Sequence, residues 1–296
     1  MSEIFIPLIS DKNIKMYLND DFDGFFVGIK KYSSNFNVLL DLEELKELIN
    51  TVNKKIYVCL NRLYYNDEIE DLIDLVKELI NLPISGICYT DNGLLNILKE
   101  LNYKGDILWY SNHLGTNSNT IKFLSKRDVN YFLLSTEITK DEIIKIKNNC
   151  SKEKIGCMLY GYLNMATSSR KLLSNYFEYN NLNKDKDNYV IEDKVKKDKY
   201  FLVEKDNTDF FTYKVLNGIK FYPELLSSNI DFIYLDNYLI DEDKFKKILE
   251  NFILLRKTPN NNYALDLEKA VNSNTDHDTY YGFLDKKTVF KVKDYE

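Results

Sequence analysis

Four cysteines, four prolines, ten glycines and two histidines are few for 296 residues, and each scarcity closes off a class of protein. Cys59, Cys88, Cys150 and Cys157 stand apart with no CxxC pair. That excludes a disulfide framework and a zinc knuckle, and points to a reducing compartment. His113 and His277 lack HxxxH spacing, so no metal site is expected. No apolar run approaches the roughly 20 residues of a membrane span. The opening MSEIFIPLIS has no basic stretch before its short apolar run, as a secretory signal would have. GxSxG, P-loop and GxGxxG patterns are all missing, which removes lipase, NTPase and Rossmann readings. The expectation is a cytoplasmic protein with no membrane association, no metal and no cofactor.

What is present is ordinary for a soluble domain: 44% hydrophobic and 29% charged residues. A net charge of −6 argues against non-specific nucleic-acid binding over the whole surface, while leaving room for a local basic cleft. The 23 tyrosines accompany an abundance of Lys, Asn and Ile, a skew that AT-rich codons produce without any binding chemistry.

Short apolar runs alternate with amphipathic stretches. Strands are expected at Ile4–Ile9, Phe25–Ile29, Ile56–Leu60, Gly86–Tyr89, Ile107–Ser111, Tyr131–Ser135, Ile155–Tyr160 and Phe232–Leu235. Each is rich in β-branched or aromatic residues, as a strand buried on both faces should be. Between them, Leu42–Val52, Ile69–Leu82, Gly93–Leu101, Ser118–Lys126, Lys140–Asn148, a segment around Pro223–Ser228 and Asp241–Leu254 carry helical stripes. Thr139 with Glu142 three residues on forms a capping box. Strict alternation implies parallel strands joined by right-handed crossovers. The fold class is α/β, a TIM-like (β/α)8 barrel over residues 1–256. An excursion at 175–213 follows strand seven, with Tyr189–Asp193 and Tyr200–Glu204 read as a β-hairpin. Residues 257–296 form a polar C-terminal extension, with Tyr280–Lys293 as one more hairpin.

In such a barrel the chemistry belongs on loops at the carboxyl ends of the strands. His113 there reads either as a base or as a loop residue capping the next helix. Glu137 reads either as a general base or as a charge favoured by a helix N-terminus. Asn61, Asn112, Tyr160 and Asp236 lie at the other exits and are the expected substrate-binding residues. Arg170 is one of only four arginines and sits among small and hydroxyl residues. It fits planar recognition of a carboxylate or phosphate, or a pairing with a nearby acid such as Asp193. His277, between two aspartates, reads as a solvated loop residue.

The segment Tyr160–Ser174 resembles the signature of the U32 peptidase family. That signature runs Glu-x-Phe-x-x-Gly-small-aliphatic-Cys, four residues, Gly-x-Cys, then Ser. Its glycine falls on Gly161, its aliphatic position on Leu163 and its serine on Ser174; its Glu falls on Gly156 and its Phe on Met158. The two cysteines fall on Asn164 and Lys171. Residues 112–117, Leu134–Glu142, Tyr189–Asp193, Phe232–Asp236 and Tyr281–Asp285 resemble further family stretches, so the similarity spans about 1–255 and the ending. The resemblance implies either proteolysis, or hydroxylation of tRNA or rRNA bases or quinone precursors by members with an iron–sulfur cluster on four cysteines. Lacking the signature cysteines, this chain is expected to serve as an accessory subunit in tRNA uridine hydroxylation, paired as a heterodimer with a longer cluster-bearing paralogue. In that role Arg170 would bind an anionic group, and Asn61, Asn112, His113 and Glu137 would line the same mouth. A peptidase or hydrolase acting on peptide through Glu137 or His113, and a non-catalytic scaffold binding a small carboxylate, are the alternatives.

Overall fold

The computed structural model describes residues 2–9, 17, 20–111, 113–195 and 197–286. Eight parallel strands close on themselves: β1 (Glu3–Pro7), β2 (Gly24–Ile29), β3 (Lys55–Leu60), β4 (Gly86–Tyr89), β5 (Asp106–Tyr110), β6 (Tyr131–Leu133), β7 (Lys154–Gly161) and β8 (Phe232–Leu235). β8 pairs with both β7 and β1, which removes both edges. Helices α1 (Leu42–Thr51), α2 (Ile69–Leu79), α3 (Asn92–Glu100), α4 (Ser118–Ser125) and α5 (Lys140–Asn149) fill the crossovers from β2 to β7. The Thr139–Glu142 capping box starts α5 as its sequence requires. This is the (β/α)8 barrel that the alternation predicts.

The barrel interior is aromatic. Phe5, Tyr57, Tyr131 and Phe232 meet near the amino ends of the strands, with Phe26, Tyr110 and Tyr234 above them. Rings of this size fit because β7 faces Phe232 with Gly156; any Cβ there would overlap the ring. A large side chain at 156 would force the overpacked core apart.

After β7 the chain leaves the barrel. Strands Asn188–Glu192 and Lys199–Glu204 form the predicted hairpin, with Asn188 opposite Val203. The excursion is larger than 175–213, since Thr208–Thr212 and Asn164–Ser168 complete a four-stranded antiparallel sheet. Helix α6 (Leu172–Tyr179) is tied to this sheet by one carboxylate. The Glu204 side chain is fully buried and accepts from the backbone N–H groups of Leu173 (2.7 Å) and Ser174 (3.0 Å), from Thr208 Oγ1 (2.9 Å) and from Lys184 Nζ (2.9 Å). The Ser174 hydroxyl donates to it as well. The serine aligned with the family signature is thus occupied at a helix N-terminus.

The chain then returns through α7 (Tyr222–Ser227) and β8 to α8 (Glu242–Lys257). The region read as a polar extension carries a further helix, α9 (Asn261–Ser273), which buries Ala264, Leu267 and Val271. Thr279–Tyr280 then pairs in parallel with Val215–Asn217. The remainder of the expected Tyr280–Lys293 hairpin, from 287 on, lies outside the described residues.

Candidate functional site at the barrel mouth

The carboxyl ends of the strands open between the loops after β2, β5, β6 and β8, with the insertion sheet against one side. His113 and Glu137 come together there: Nδ1 lies 2.9 Å from Oε1, and both side chains are about half exposed. The capping alternative for His113 falls away because Asn117 caps α4, accepting from Thr120 N–H at 3.0 Å. The Glu137 carboxylate turns to the imidazole, while Thr139 caps α5.

Asp236 occupies the first position beyond β8 and is 7% exposed. Its Oδ1 accepts from the backbone N–H of Tyr238 at 3.0 Å, and the nearby Tyr234 phenol and Asn237 backbone also favour its charged form. Burial outweighs these bonds and pushes the carboxyl up to about 7. The Tyr234 and Tyr110 rings meet edge to face, with centroids 6.1 Å apart. Burial, and then the Asp236 charge, raise both phenols. A titratable carboxyl and two phenols are thus gathered at this end of the barrel, with Tyr110 the least buried of the three. Sequence reading placed Asp236 here but missed Tyr110 and Tyr234, which read as ordinary strand aromatics.

Gly161 makes the close approach of β7 to this carboxyl feasible. Its φ is +130°, which L side chains rarely adopt, and an added Cβ would stand 2.7 Å from Asp236 Cβ. A second buried carboxylate, Asp209, reaches the same region from the insertion. Burial raises its pKa, against hydrogen bonds from Thr167 and Asn164. Phe211, packed 5.4 Å from Tyr238, docks the insertion sheet on the barrel loops.

The remaining expected residues behave differently. Asn61 accepts from Ser34 N–H at 2.9 Å and donates to Ser34 O at 3.1 Å, so it fixes the loop after β2. Tyr160 turns away from the mouth. One extra β7 residue faces the Tyr234–Leu235 step of β8, and the Tyr160 hydroxyl lies 3.0 Å from Thr275 Oγ1 while its ring packs on Phe245. Asn112 lies outside the described residues. Arg170 is exposed, and the ion pairs among the described residues include neither it nor an Arg170–Asp193 contact. Arg170→Ala should therefore leave the melting temperature within about 1 °C, as surface substitutions away from such contacts do. A clear drop in a thermal scan would show a structural role instead. His277, expected in solvent, joins an aromatic cluster: its Nδ1 lies 2.7 Å from the Tyr162 hydroxyl, and its ring lies 4.4 Å from Tyr213.

A closed parallel barrel with an imidazole–carboxylate pair and a buried carboxyl on its C-terminal face defines a TIM-barrel protein. Monomeric dihydrodipicolinate synthase (TM-score 0.52, 9% identity, 92% of this chain and 80% of that one) shares the fold, as does Proteus mirabilis N-acetylneuraminate lyase (0.50, 9%, 92% and 81%). The model of peptidase family U32 matches residues 11–292, and the chain belongs to that family. It is 24% identical over 247 residues to tRNA hydroxylation protein P2 of Bacillus subtilis, covering 80% of each chain. It is 27% identical over 183 residues to tRNA hydroxylation protein P of Escherichia coli, covering 59% of this chain and 39% of that one. An uncharacterized protease of Methanocaldococcus jannaschii matches at 27% over 185 residues, 58% of this chain and 45% of that protein.

Proposed function

We propose that this chain is a subunit in tRNA uridine hydroxylation, working beside a longer U32 paralogue and holding RNA at its barrel mouth. The observation that carries this reading is the match across four-fifths of both chains to a relative named for tRNA hydroxylation. The donor set here does not fit an iron–sulfur cluster. The signature's cysteine positions are Asn164 and Lys171, and the four cysteines present are buried in separate strands or at the end of α5. Among the described residues no group of His, Cys, Asp and Glu could hold a metal ion. The oxidising chemistry is therefore assigned to the partner. This chain contributes proton acceptors, His113–Glu137 at the surface and Asp236 beneath.

A hydrolase reading is favoured by one observation, the imidazole–carboxylate pair. Nucleoside mass spectrometry of total tRNA, from cells with and without the gene, decides between the two. Loss of 5-hydroxyuridine derivatives supports the proposal; unchanged levels defeat it and leave peptide turnover or carboxylate binding by the purified protein to be measured. Complementation with Glu137→Gln is expected to leave stability within about 1 kcal/mol, because the pair is half exposed. It should lower the modified nucleoside about tenfold or more. Full restoration by this variant would remove Glu137 from the site.

A further inference from the structure

Beside the mouth runs a groove of about 750 Å³, walled by the loop carrying Glu137, by the insertion sheet and by the segment 278–283. That volume falls in the roughly 300–1,000 Å³ range of ligand clefts. Tyr213 lines the groove and is braced from behind by rings that do not line it. Tyr213 stacks on Phe201 at 5.0 Å and 27°, and its other neighbour His277 is held by the Tyr162 hydroxyl. Tyr200, Tyr280 and Phe283 add further partly exposed rings along the walls. Lys199 Nζ lies 5.6 Å from the centre of the Tyr213 ring, and Lys214 follows Tyr213 directly. Both lysines are exposed, and neither forms an ion pair among the described residues. Three carboxylates also face the groove. Glu137 is engaged by His113, Asp198 and Asp278 are exposed, and a third lysine, Lys197, pairs with Glu192 at 3.4 Å.

Partly exposed rings beside lysines that form no ion pair among the described residues suit a single-stranded nucleic acid. Bases of any identity stack on rings, and phosphates sit against Lys. An acidic peptide would use the lysines but leave the partly exposed rings without a stacking partner. The placement matters too, because Glu137 belongs to both the groove and the His113 pair. A strand lying in the groove would pass the mouth.

We propose that this groove binds a single-stranded RNA segment, with a base stacked on Tyr213 and phosphates held by Lys199 and Lys214. The proposal rests on the tRNA reading for its choice of RNA, and makes Tyr213, Lys199 and Lys214 the residues that present the strand to the mouth.

The test is fluorescence anisotropy of the full chain with a labelled uridine-rich RNA of about eight nucleotides. Lys199→Glu/Lys214→Glu should weaken binding at least about tenfold and reduce the slope of log K against log salt by about 1.4, two phosphates at about 0.7 each. Tyr213→Leu should weaken binding about tenfold while leaving the salt slope unchanged. The lysine pair is exposed, so its melting temperature should match the parent and exclude misfolding as the cause. No binding by the parent chain, or equal binding by the lysine variant, overturns the proposal; so does a poly-glutamate peptide that competes as well as RNA. Nucleoside analysis of the deletion strain separates the two claims. Gene-dependent hydroxylation without RNA in the groove refutes the groove alone. Groove-dependent RNA binding with gene-independent hydroxylation refutes the tRNA reading alone.

Discussion

Asp236→Asn should make the protein more stable at pH 8 and, under the proposed role, unable to support tRNA hydroxylation in cells. The folded chain holds the Asp236 proton more tightly than the unfolded one, with a pKa of about 7 against an ordinary 3.8. That advantage is complete below pH 4, shrinks between pH 4 and 7, and above 7 leaves a buried charge that costs about 4 kcal/mol. Asparagine keeps the acceptor oxygen for the Tyr238 N–H without the charge. The difference in melting temperature between variant and parent should therefore be small at pH 4.5 and grow to about 8 °C at pH 8, at about 2 °C per kcal/mol. Parallel melting curves across this range would show that Asp236 does not titrate as described. A stabilising substitution that abolishes activity is the signature of a residue kept for function. Modified-nucleoside levels in cells carrying the variant supply that half of the test.

Glu204→Gln has the opposite sign. Burial alone would raise this carboxyl, but hydrogen bonds from Ser174, Lys184 and Thr208 hold it at about 2. Its contribution of about 3 kcal/mol is present above pH 4.5 and is lost as pH falls from 4.5 towards 2. Glutamine leaves the Lys184 ammonium without its buried counter-charge and the α6 N-terminus short of acceptors. The melting temperature at pH 7 should fall by about 6 °C. At pH 2.5 the gap between variant and parent should nearly close. A gap that is constant with pH would mean the loss comes from packing rather than from charge.

The barrel was legible because strands buried on both faces must be written in uninterrupted apolar residues, as in Ile56–Leu60 and Phe232–Leu235. The strand Asn164–Ser168 is polar and largely exposed, so nothing in its composition separates it from a loop. Helix α9 hides for a related reason: it buries three small or medium residues among asparagines and charges. Of the site, His113, Glu137 and Asp236 could be found because they lie within four residues of the strand ends at Tyr110, Leu133 and Leu235. Tyr160 could not be placed, because an irregularity of one residue in β7 turns it outward and leaves no mark in the sequence. His277 was misread for the converse reason, since its flanking aspartates advertise solvent while its ring partners are more than sixty residues away in the chain.

The groove's walls come from residues near 137, 164, 199, 213 and 280, and the order of synthesis gives that arrangement a consequence. All eight barrel strands have been made once Leu235 is added, and the insertion sheet is complete at Thr212. Tyr280 and Phe283 arrive last, and Thr279–Tyr280 must find Val215–Asn217 after the rest of the wall exists. A chain that stops short of them could fold its barrel and bury its core, yet present an incomplete cleft. Premature termination in this stretch would yield a stable product with an unfinished cleft, which is harder for quality control to recognise than one that fails to fold.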